Sequence, residues 1–68
     1  MDARVLNVSQ KIKEARMEAK LTQTELGKII GKSKQWVSEL EQGNIRLSYE
    51  MAIYISGACN KSIDFFAS

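Results

Sequence analysis

Between Thr22 and Gly43 two short helical segments follow one another, each with its own start and stop signal and very little chain between them. The first opens on Thr22-Gln23-Thr24-Glu25, a capping box in which the threonine hydroxyl and the glutamate carboxylate each take up a free backbone N–H. Gly31 stops it, because glycine suits a backbone that needs positive φ. Ser33 is the natural N-cap of the second segment, Lys34 to Gln42, which Gly43 ends in a left-handed conformation. Gly27 lies inside the first helix, where glycine costs about 1 kcal/mol against alanine. A steep helix crossing over a short turn is the reason to keep it, since no large side chain fits there.

The remaining punctuation divides the chain into five helices. No proline interrupts it, nothing repeats, and apolar residues recur at three- and four-residue steps rather than alternating. Helix one is expected from about Ser9 to Ala19, with Ile12, Ala15 and Ala19 inward and Lys11, Lys13, Glu14 and Glu18 outward. Leu21 packs at the turn. The second helix turns Leu26, Ile29 and Ile30 inward, and the third Val37 and Leu40, with Trp36 on its flank. Ser48 caps a fourth helix from Tyr49 to about Ala58, with an inward stripe of Tyr49, Ala52, Ile55, Ser56 and Cys59. Ser62 caps a last turn containing Ile63, Asp64, Phe65 and Phe66. The expected architecture is a compact all-α domain of five helices over residues 9–68, preceded by a poorly ordered arm at residues 1–8.

A chain of 68 residues forms one domain, whose core supplies about 3–5 kcal/mol unless a disulfide, a metal or a partner adds to it. Cys59 is the only cysteine and there is no histidine, so neither a disulfide nor a structural zinc site is expected. Oligomerisation remains as the extra source of stability. Met51, Tyr54 and Phe65 exceed what so small a core needs and are candidates for a homodimer surface; the alternative is a merely apolar exterior. Cys59 reads as a small buried apolar residue.

Ten Lys and Arg against eight Asp and Glu leave a net charge of +2, far from the composition of a non-specific nucleic-acid coat. Asp2 and Arg4 break the first ten residues, which hold no long apolar run; neither a signal peptide nor a membrane contact is expected, and the location is read as cytoplasmic. No nucleophile–base constellation and no glycine-rich phosphate loop is present, so an enzyme is the weakest reading, and no cofactor, metal or small-molecule ligand is expected.

The spacing from Gln23 to Leu40 is that of a helix-turn-helix. Leu26, Ile30, Val37 and Leu40 would set the angle that lets the second helix project. A DNA major groove about 12 Å wide admits one such helix, with its N-terminal residues at the base edges. The run Leu21-Thr22-Gln23-Thr24-Glu25-Leu26-Gly27, then Gly31-Lys32-Ser33-Lys34-Gln35, then Val37-Ser38-Glu39-Leu40-Glu41-Gln42-Gly43 resembles the phage Cro and repressor type of domain, the lambda-repressor-like or XRE-like family, over roughly Ile12 to Phe66.

The resemblance implies double-stranded DNA as partner. Gln23 takes the position of the family's phosphate-contacting glutamine. Ser33, Lys34, Gln35, Ser38 and Glu39 fall on the face turned to the groove, and Arg16 and Glu41 fall where members often join the first and third helices by an ion pair. Lys34, Gln35, Ser38 and Glu39 are the base-reading candidates; Thr22, Gln23, Lys32, Ser33, Asn44 and Arg46 are the backbone contacts. Gln35 suits adenine and Lys34 suits guanine, while Glu39 either accepts from cytosine or repels phosphates. Trp36 is read as packing at the core edge, the alternative being a contact to deoxyribose or a thymine methyl. Three features depart from the family pattern: Lys20 stands where glycine often ends the first helix, Gly57 interrupts the fourth, and the first seven residues match nothing. The favoured reading is a bacterial or phage transcriptional repressor that binds a pseudo-palindromic operator as a homodimer. Its rival is an antitoxin-like or antagonist protein-interaction module using Trp36, Met51, Tyr54 and Phe65.

Overall fold

Three hydroxyls start helices in the same way. Thr22 accepts from the Glu25 backbone N–H at 3.0 Å, Ser33 from that of Trp36 at 3.1 Å, and Ser48 from that of Met51 at 3.1 Å. Each satisfies a donor that the intrahelical ladder leaves over. Glu25 completes its box by accepting the Thr22 N–H at 2.8 Å. The backbone N–H and then the hydroxyl of Thr22 hold the Glu25 carboxyl below the usual carboxylate range.

The computed structural model describes the backbone of residues 3–67 and the side chains of residues 8–66. The helices are α1 (Ala3–Glu18), α2 (Gln23–Ile30), α3 (Lys34–Glu41), α4 (Tyr49–Cys59) and α5 (Asp64–Ala67), with no strand among the described residues. α2 packs on α3 and α4, and α1 on α3, α4 and α5. Ile12 and Ala15 of α1, Leu26 of α2, Val37 and Leu40 of α3, Ile55 and Cys59 of α4 and Phe66 of α5 meet in one buried cluster. Burial pushes the Cys59 thiol pKa up, which suits a packing residue rather than a reactive one. No described helix is long and apolar enough to cross a membrane, and no described cluster of side chains could hold a metal ion.

The crossing of α2 and α3 is as close as Gly27 implies. A Cβ on Gly27 would lie 2.5 Å from the Lys32 carbonyl oxygen, so the turn that launches α3 sits directly on the helix before it. Gly31 takes the left-handed conformation, φ 75°, and its N–H returns to the Gly27 carbonyl.

Several boundaries and faces differ from expectation. α1 begins at Ala3 rather than near Ser9. Ser9 is buried on the inner face, and the residues before it contain neither glycine nor proline to stop the helix. Residues 1 and 2 of the expected arm lie outside the described residues. Ile29 is 57% exposed, not inward. At about 100° per residue it lies on the opposite side of Leu26 from Ile30, and the α3 and α4 contacts of α2 leave it uncovered.

Tyr49, also expected inward, is 75% exposed; as the first residue of α4 it projects past the core, while Ile45 and Leu47 of the preceding loop pack there instead. Of the proposed surplus residues, Met51 and Phe65 are half-buried against the core and only Tyr54 stands exposed. Gln42 is the C-cap of α3 rather than its last residue. Lys20 does adopt the left-handed conformation of the glycine it replaces, φ 60°, at a cost of about 1–2 kcal/mol.

Two glycine substitutions separate packing from propensity. Gly27→Ala should lose about 1–3 kcal/mol by overpacking against backbone. Gly57→Ala meets nothing within 4 Å and should gain about 0.5–1 kcal/mol. Urea denaturation of both in dilute solution checks the opposite signs. Because the Glu25 pKa is lowered on folding, its stabilisation is present above the usual carboxylate range and is lost as pH falls through that range to the lowered value. The melting-temperature gap between the native chain and Glu25→Ala should therefore close on acidification, as thermal melts at stepped pH would show.

Candidate nucleic-acid interface

The interface is assembled around a charge taken out of water. Arg16, on the inner side of α1, donates from Nε to Glu41 Oε2 at 2.6 Å and from Nη2 to Oε1 at 3.1 Å, and its Nη1 reaches the Leu21 carbonyl at 2.8 Å. Both side chains are buried. A bidentate guanidinium–carboxylate fork has one good geometry, so it sets where the end of α3 lies relative to α1. Gln23 joins the same carboxylate, its Nε2 donating to Glu41 Oε1 at 3.2 Å. The first residue of α2 is thereby tied to the last residue of α3.

That frame leaves one side of α3 uncovered. Val37 and Leu40 are buried, whereas Lys34 and Gln35 are exposed and Ser38 and Glu39 are half-exposed. At about 100° per residue these four polar residues span roughly 140° of the helix, facing away from the buried pair. Thr22, Lys32, Ser33, Asn44 and Arg46 are exposed at the rim, and Gln23 is half-buried. The first N–H groups of α2 and α3 lie beyond the reach of the intrahelical ladder, which makes both mouths favourable to an anion.

The uncovered face of α3 is internally bonded in ways that residue spacing only partly announces. The Gln42 amide donates to Ser38 Oγ at 2.9 Å, a four-residue step that helix periodicity alone brings together. The Asn44 amide donates to Glu39 Oε2 at 2.9 Å, a pairing that depends on the chain reversing at Gly43. Trp36 is half-buried against the core, with the Lys32 ammonium 5.1 Å from its ring centroid, so the core-edge reading of Trp36 holds and Lys32 rests beside it.

This arrangement matches a known pattern. A family model described as helix-turn-helix covers residues 12–66, most of the chain. The chain belongs to the Cro/repressor-type helix-turn-helix family. It is therefore a DNA-binding regulatory domain, with α2 and α3 as its helix-turn-helix. No curated protein matches the chain. Within this helix-turn-helix domain the matched region begins at Ile12, so the first two turns of α1 lie outside the family pattern.

Removing one member of the buried pair strands the other. Glu41→Ala should cost about 3–5 kcal/mol, and the double replacement Arg16→Met with Glu41→Leu should cost less than Glu41→Ala alone. Chemical denaturation of the single and double variants decides this; equal losses would mean that the pair is not desolvated in solution.

Proposed function

We propose that this domain is a sequence-specific transcriptional regulator that binds a pseudo-palindromic operator in double-stranded DNA as a homodimer and represses by occupying it. The observation that carries the reading is the polar arc of α3, Lys34, Gln35, Ser38 and Glu39, exposed opposite Val37 and Leu40. In the major groove Gln35 bonds adenine at N6 and N7, and Lys34 donates to guanine O6 and N7, each worth about 1–3 kcal/mol of discrimination. Gln23 spends one amide hydrogen on Glu41 and offers the other to a phosphate, beside the N–H groups at the mouth of α2. Thr22, Lys32, Ser33, Asn44 and Arg46 stand along the rim where the phosphate backbone would pass.

The size of α3 argues for two copies. Eight residues make a helix about 12 Å long, enough for only a few base pairs. The longest dimension of the domain is 27 Å, short of the roughly 34–36 Å between half-sites one helical turn apart. A second copy would dock through α4, where Tyr49, Ile53 and Tyr54 are exposed and Gly57 leaves space on the same side. Of the residues the rival protein-interaction reading uses, Tyr54 is exposed, while Trp36, Met51 and Phe65 are half-buried against the core.

Selection from randomised duplex DNA at near-physiological salt tests the proposal. The expected result is two inverted half-sites about 10–10.5 base pairs apart or a multiple of that; no enrichment would favour the protein-interaction module. Gln35→Ala should relax one base position, whereas Gln23→Ala should weaken all sites alike. Ile53→Asp should lower self-association in sedimentation without unfolding the domain.

A further inference from the structure

The geometry points to Asn44 as a positioning residue that holds the Glu39 carboxylate on the reading face of α3 and so makes cytosine the selected base at one position. The inference rests on the DNA-reading function proposed above and deepens it, moving Asn44 from the phosphate rim to the base-reading machinery.

The pair is locked by two bonds. Gly43 turns the chain with φ 84°, its N–H returns to the Leu40 carbonyl at 3.2 Å, and the Asn44 N–H returns to the Glu39 carbonyl at 3.0 Å. This is the paired closure of a helix C-terminus, and it places the two Cα atoms regardless of any other element. The Asn44 side chain then donates to Glu39 Oε2 at 2.9 Å. An ionised carboxylate only accepts, so the amide must present its nitrogen, and its orientation is settled by chemistry. Oε2 is occupied on one side, and Oε1 remains to meet DNA.

A carboxylate oxygen in the major groove needs a donor. Cytosine N4 offers one alone, adenine N6 offers one beside the acceptor N7, and guanine and thymine present acceptors. An unanchored glutamate facing guanine or thymine would rotate into water and lose little. Held by Asn44, Glu39 must break that hydrogen bond to turn away, so the wrong base more often meets an unpaired negative charge. Anchoring therefore raises the penalty for mismatches and lowers the ordering cost at the correct base.

The test uses the whole chain and four duplexes that differ only at the position where Glu39→Ala loses its preference in the selection. The native chain should favour cytosine there by about tenfold or more. Asn44→Ala should reduce that preference by about three- to tenfold, chiefly because the non-cytosine duplexes bind better, and leave other positions unchanged. Combining Asn44→Ala with Glu39→Ala should add nothing to Glu39→Ala alone. Thermal melting followed by circular dichroism checks that the variant, which keeps its backbone N–H, remains folded. If Asn44→Ala weakens all four duplexes by one common factor, Asn44 is a backbone contact and the inference is overturned while the DNA-reading function stands. If Glu39→Ala changes no position, or the native chain selects no sequence, the underlying reading fails and the inference with it.

Discussion

The Arg16–Glu41 pair is the contact on which the rest of the domain is hung. Through one guanidinium it joins α1, the Leu21 turn and the end of α3, and through the same carboxylate it reaches Gln23 at the start of α2. Burying two charges is expensive, and their mutual attraction offsets that expense only when the geometry is good and the remaining donors are satisfied. Here they are: no buried side-chain nitrogen or oxygen among the described residues lacks a partner. The pair thus links α1 to the end of α3 through one bidentate geometry. It makes the placement of α3 depend on the placement of α1.

The apolar cluster and the close crossing at Gly27 supply what the ion pair does not. Side chains from all five helices meet in the core, so each short helix is held by its neighbours rather than by its own ladder. The Lys32 carbonyl stands where a Gly27 side chain would be. That contact brings the start of α3 against α2, and the inward Val37 and Leu40 then commit the other side of α3 to solvent. A projecting polar helix follows from packing, before any ligand is considered.

The exposed side of α3 carries side chains that are already tied down. Gln42 on Ser38, Asn44 on Glu39 and Lys32 on the core-packed Trp36 tie exposed groups to the two ends of α3. Ordering of this kind in general reduces the entropy lost on binding. Residues beyond the helix, at 42 and 44, thus bond to residues on it.

The sequence alone determined the local features, because caps, glycines and helix periodicity act over a few residues. Thr22, Ser33 and Ser48 start helices, Gly31 and Gly43 turn the chain, Leu26, Val37 and Leu40 enter the core, and Lys34, Gln35, Ser38 and Glu39 share a face. The run from Leu21 to Gly43 was also enough to indicate the family. Tertiary structure decided what depends on neighbours distant in the chain. Ile29 and Tyr49 have the hydrophobicity of core residues, but no helix lies over them, whereas Ile45 and Leu47 come from a loop that carried no periodic signal. The first helix was expected from about Ser9, but Ser9 is a buried interior position of a helix that begins at Ala3. The bond from Gln23 to Glu41 needed two helix ends to be brought together by a crossing, and no spacing along the chain encodes that approach, whereas the bond from Asn44 to Glu39 follows from the local chain reversal at Gly43.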